Sequence, residues 1–83
     1  MILTLLNGHF EKQAAIALLE ALTAVKINYH ENQIHADSYH HEEDIKMSES
    51  RIKALERDLK EAIAFCHASD QPMIDLTSSI TIG

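Results

Sequence analysis

The sequence predicts a mainly α fold: an antiparallel two-helix hairpin assembling as a homo-oligomeric helical bundle, with short strands or arms at the two termini. Three observations predict it. Between Gly8 and Pro72 there is neither a glycine nor a proline, so nothing breaks a helix over most of the chain. Residues 42–62 write one seven-residue unit three times, as EEDIKMS, ESRIKAL and ERDLKEA. Residues 14–27 are apolar around most of a helical circumference, which is the mark of a helix surrounded by others.

The chain divides, within one domain, into an apolar arm or strand (1–8), a first helix (9–36), a turn (37–40), a second helix (41–69) and an extended tail (70–83). The opening MILTLL is apolar, and Asn7-Gly8 supplies a turn signal and a helix cap. It lacks the basic start and the length of a signal peptide.

In the first helix Ala15, Leu18, Leu22, Val25 and Tyr29 follow a three-four spacing, which predicts one packing stripe. Beside it Ala14, Ala17, Ala21 and Ala24 make a row of small side chains that lets another helix come close. The stripe then loses phase, since continuing it reaches Glu43 while a second frame restarts at Ile45. Asp37 and Ser38 are the capping residues nearest that slip, and Glu42, Glu43 and Asp44 suit the positive end of a new helix. The turn belongs there, leaving two helices of about 28 residues, each roughly 42 Å long. One uninterrupted helix forming a long coiled coil is the alternative.

In the second helix Ile45, Ile52 and Leu59 recur every seven residues, and Ser48, Leu55 and Ala62 fall three after each, so the two sets form a seam. The pairs Glu42/Lys46, Glu49/Lys53 and Glu56/Lys60 stand four apart with the acid first, each worth about 0.3 kcal/mol on a solvated face. Pro72 ends the helix. Beyond it Ile74, Leu76, Ile80 and Ile82 alternate with polar residues, a period of two that predicts a strand or arm able to pair with the N-terminus, in the same chain or across a dimer. A short helix beginning at Pro72 is the alternative.

Composition bounds the function. A chain of 83 residues buries little surface, and with a single cysteine no intrachain disulfide can staple it, so oligomerisation is the remaining support. The expected interface is Ala14, Ala17, Leu18, Ala21, Leu22 and Val25 on the first helix with Ile45, Ile52, Leu55 and Leu59 on the second. A formal charge of −6 repels phosphate, which argues against a nucleic-acid or anionic-membrane partner. The apolar segment 14–27 is too short and too charged to span a bilayer, and a cytoplasmic location is expected.

The residues with metal-ligating chemistry gather around the turn: His30, His35, His40 and His41, with Glu31, Asp37, Glu42, Glu43 and Asp44 among them. The spacing is not that of a known site. His30-Glu31 begins like HExxH, but the second histidine falls at 35, one position late, and no glutamate has a histidine three residues on. The alternatives are a pH-responsive interface, since all six histidines protonated would cancel the formal charge, and an exposed polar turn. Cys66 and His67 are adjacent, which points them about 100° apart on a helix and rules out a nucleophile-base pair.

The hairpin resembles in topology the two-helix dimers of the Rop-type fold, a resemblance that implies helical dimers. The acidic balance argues against carrying over the RNA-binding face such proteins use. The function expected is that of a small acidic, non-enzymatic, homo-oligomeric module binding another protein as regulator, inhibitor or adaptor, without a cofactor. The alternative is a bundle that binds a small ligand or metal at its Tyr/His-rich end.

Overall fold

The computed structural model describes residues 1–35 and 42–83. Four elements follow one another: β1 (Ile2–Glu11), α1 (Lys12–His35), α2 (Glu42–Ala68) and β2 (Met73–Thr81). The strands pair antiparallel in a two-stranded sheet, and the two helices pack against each other. The all-α hairpin bundle expected from the sequence is therefore corrected to a β-α-α-β fold, in which the chain's two ends form a ribbon of their own. The Rop-type likeness goes with it. The turn expected at 37–40 lies outside the described residues.

The correction has its origin at Asn7-Gly8. These residues read as a turn, yet β1 runs straight through them, because Leu6, Gly8 and Phe10 form its half-buried face and Asn7, His9 and Glu11 its exposed one. Residues 9–11, expected in the first helix, belong to the strand. Pairing with β2 supplies the hydrogen-bond partners that a lone apolar arm would lack, with Gly8 opposite Leu76 and Phe10 opposite Ile74, and it sets Asn7 opposite Thr77 and His9 opposite Asp75. On the outer face His9 Nδ1 meets the Asp75 carboxylate across the strands. At the chain ends the Met1 ammonium donates to the Ile82 carbonyl at 2.9 Å, and the Ile82 N–H donates to the Met1 carbonyl at 2.7 Å.

The register shifts between Thr4 and Leu6, leaving Leu5 as a bulge in β1. The extra residue turns Leu5 toward the side that carries Ser78 and Ile80. No such irregularity interrupts β2.

The core sits where the base of the ribbon meets the base of the hairpin. Ala15 and Ile16 of α1, Cys66 of α2 and Ile74 of β2 are buried together, with Phe10, Leu19, Ile63 and Leu76 packed around them. The Lys12 ammonium donates to the Ser69 carbonyl, which ties the start of α1 to the carbonyl end of α2 and places a cation where the helix dipole favours one. Just beyond α2 the Gln71 N–H donates to Ser69 Oγ at 3.2 Å, where the chain turns into Pro72 and β2.

Along the hairpin α2 presents Ile45, Ser48, Ile52, Leu55, Leu59 and Ala62 as a half-buried row ending at buried Cys66. On α1 the covered row is Ile16, Leu19, Thr23, Ile27, His30 and Ile34. The sequence predicts a different stripe, Ala15, Leu18, Leu22, Val25 and Tyr29, of which Leu22, Val25 and Tyr29 stay exposed. Two polar members, Thr23 and His30, hid the true seam, and a helix apolar on several sides offered more than one stripe to choose from.

Gly8 needs no glycine geometry: its φ is not positive, and an added Cβ would stand 3.8 Å from the Phe10 ring, an ordinary contact. Replacing Gly8 with Ala should therefore raise the unfolding free energy, by about 0.5 to 1 kcal/mol from reduced unfolded-state freedom. Urea titration of the two proteins checks this, and a loss of stability would mean that the strand tolerates no side chain there.

Candidate functional site

Two recesses open on α1, one on each side of Tyr29. The first lies between the helices and is lined by Tyr29, His30 and Gln33 of α1 and by Asp44, Met47, Ser48 and Arg51 of α2, enclosing about 250 Å³. The second lies between α1 and the ribbon, where Leu22, Val25, Lys26 and Tyr29 face Leu5, Ser78 and Ile80 across a groove of about 650 Å³.

His30 is the one buried polar residue among those described, 9% exposed, and its Nε2 has no hydrogen-bond partner. The Tyr29 ring meets the imidazole edge-on, centroids 5.4 Å apart at 74°, and the Lys26 ammonium stands 5.0 Å above the Tyr29 ring. Burial lowers the His30 pKa from its ordinary value, and the cations of Lys26 and Arg51 lower it further. Both effects favour the neutral imidazole, which sits where the two helices meet. Asp44 lines the same recess from α2.

Of the other predicted metal ligands, His35 is exposed at the end of α1, and His40 and His41 lie outside the described residues. Among the described residues no three His, Cys, Asp or Glu side chains converge as a metal site. Cys66 is 2% exposed, closed inside the core, whereas His67 beside it is exposed. Of the three charged pairs expected on α2, Glu42–Lys46 comes within reach at 3.7 Å, both side chains largely solvated. Among the described residues no helix is long and apolar enough to cross a membrane.

The residues expected at an oligomer interface fall on separate surfaces. Ile45, Ile52, Leu55 and Leu59 are half-buried in the seam between the helices. Leu18 is half-buried on α1, while Leu22 and Val25 stand on the groove wall, 38% and 69% exposed. Ala14, Ala17 and Ala21 are exposed on the remaining side of α1, turned away from both α2 and the ribbon. What the sequence did not reveal is the groove itself. It requires knowing that the N-terminal strand runs alongside the helix it precedes, and the signal for that was the alternation Leu6, Gly8, Phe10 continuing past the apparent turn.

The groove has the chemistry of a docking surface: apolar on both walls, with Lys26, the Tyr29 hydroxyl and Ser78 supplying its polar groups. Between the helices the recess holds His30, whose lowered pKa makes the stability of the fold depend on pH.

The sign of that sensitivity follows from the lowered pKa. Below the ordinary histidine value of about 6.5 the unfolded chain takes up a proton that the folded His30 refuses, so His30 costs stability as the pH falls, until the folded form titrates as well. Replacing His30 with Leu should raise the thermal midpoint, and raise it more at pH 5.5 than at pH 7.5. Equal shifts at the two pH values would show that His30 titrates alike folded and unfolded. Comparison of the chain with protein-family models, with curated proteins and with solved structures finds no match in any of the three.

Proposed function

We propose that the chain is a non-enzymatic interaction module that works as a homo-oligomer, in which a second copy covers the apolar groove and the assembled helices present a charged surface to a protein partner. The observation that carries this reading is the surface left bare. A compact monomer of 9.3 kDa is expected to expose about 5000 Å², whereas this chain exposes 6488 Å². Its radius of gyration is 15.4 Å, against about 12 Å for a globular chain of this length. Its shape agrees, a plate of 46 × 31 × 14 Å.

The excess of roughly 1500 Å² is of the size one chain loses in an obligate homodimer, whose interfaces bury about 2000 to 5000 Å² over both partners. It is also apolar where it counts. Val25, Tyr29, Leu5 and Ile80 are 69%, 53%, 43% and 45% exposed around the groove, apolar side chains gathered on one side of the chain where a partner can cover them together. Meanwhile, among the described residues no large side chain is fully buried, so the internal core gives the chain little with which to stand alone. A neutral histidine in the helix joint and a closed-off thiol suit packing, which supports binding over chemistry. The formal charge of −6 favours a partner with a basic surface.

Sedimentation of the purified chain at micromolar concentration tests the proposal. A dimer or larger closed assembly is expected, and replacing Val25 with Asp should weaken it at least about tenfold, or 1.4 kcal/mol, with the far-ultraviolet circular dichroism unchanged. A folded single-chain species at those concentrations would end this reading.

A further inference from the structure

The ribbon has two free edges, and they are not alike. Among the described residues neither outer edge has a strand or other backbone partner, and a two-stranded ribbon is marginal by itself. The edge of β1 is broken by the bulge at Leu5. That of β2 is regular, and the strand MIDLTSSIT contains no lysine, no proline and no bulge among the devices that protect an open edge from pairing, while its one charged side chain, Asp75, is engaged by His9 of β1.

The geometry points to β2 as the strand through which two copies join, antiparallel to its own counterpart about a twofold axis, making one four-stranded sheet in the order β1-β2-β2-β1. This rests on the homo-oligomeric reading above and adds the surface that performs it.

The register can be derived. Met1 and Ile82 exchange both of their backbone hydrogen bonds. On an antiparallel strand every second residue then turns its N–H and C=O to the same neighbour, so Ile80, Ser78, Leu76 and Ile74 bond toward β1 and Thr81, Ser79, Thr77, Asp75 and Met73 toward the open edge. A twofold perpendicular to the sheet keeps each face on its own side, so edge-bonding residues must meet edge-bonding residues. Centred on Thr77, the midpoint of Met73–Thr81, the full strand is used. Asp75 then lies opposite the second copy's Ser79, which keeps the two carboxylates from facing each other.

The same operation sets Ile80, 45% exposed at the bare end of one ribbon, opposite the second copy's Ile74, 7% exposed in its core. Each helical hairpin thereby stands beside the groove that the other chain leaves uncovered. The surplus of exposed area and the unpaired edge are remedied by one contact.

Proline distinguishes this arrangement from any other dimer. At Thr77 it removes an N–H that points outward and leaves the bonding to β1 intact. Thr77→Pro should yield a single-chain species by sedimentation with its helical circular dichroism retained, while Asn7→Pro, the residue opposite Thr77 and on the edge of β1, should leave the dimer in place. A second measurement does not depend on proline being tolerated. Thr77→Cys should form an interchain disulfide under mild oxidation, because facing residues of a hydrogen-bonded pair have Cα atoms about 5.5 Å apart. Asn7→Cys should not, and the native Cys66 is buried. A Thr77→Pro protein that remains dimeric, or a Thr77→Cys protein that cross-links no faster than Asn7→Cys, would overturn the β2 interface while leaving the dimer itself standing. A wild-type chain that is monomeric would overturn both.

Discussion

The antiparallel pairing of the two ends of the chain is the constraint from which the remaining structure follows. It sets Phe10 opposite Ile74, and by doing so brings the first turn of α1 and the last turn of α2 to one place, where Ala15, Ile16 and Cys66 close over Ile74. Neither part is self-sufficient. Two strands cannot hold together in water without a covered face, and two helices joined at one end only would splay at the other. The contact between Lys12 and the Ser69 carbonyl fastens the junction with a partly buried, charge-assisted bond.

From that junction α1 has to serve three directions at once. One row of side chains meets α2, another looks toward the ribbon, and a third, made of alanines, meets solvent. A helix has circumference enough for this but not enough apolar partners within 83 residues, so part of its greasy surface is left over. The leftover is concentrated at Leu22, Val25 and Tyr29, where α1 and the ribbon part company and enclose the groove. His30 belongs to the same economy of space. It occupies a seam position that an aliphatic residue would fill without leaving a ring nitrogen unpartnered.

How much of this was legible in the sequence depended on whether an element's own pattern was enough. The seven-residue repeat named the side of α2 that is covered, because Ile45, Ile52 and Leu59 leave no competing stripe. The alternation after Pro72 is the alternation of β2. At the other end of the chain the pattern was present but outweighed: Leu6, Gly8 and Phe10 alternate with Asn7, His9 and Glu11, yet Asn7-Gly8 has the local chemistry of a turn. Only the partner strand decides between the two, and pairing over so long a separation is invisible to a window of neighbours. The seam of α1 failed for the opposite reason, excess of signal, since several three-four stripes fit and the one used contains a threonine and a histidine. The mixed fold, the groove and the unpartnered nitrogen all arise from relations between elements, and no single element announced them.

The separation of the paired strands also orders events in time. His9 and Asp75 are 66 positions apart, and Met1 and Ile82 are 81. Closing so long a loop costs little more at equilibrium than closing a short one, since the entropy grows only logarithmically, but contacts this distant form late. On the ribosome β1 emerges before both helices and must wait, oily and unbonded, while they are made. The strand that gives it a mate follows both helices, so an apolar strand stays outside the tunnel, unpaired, for as long as the residues between the two strands take to make.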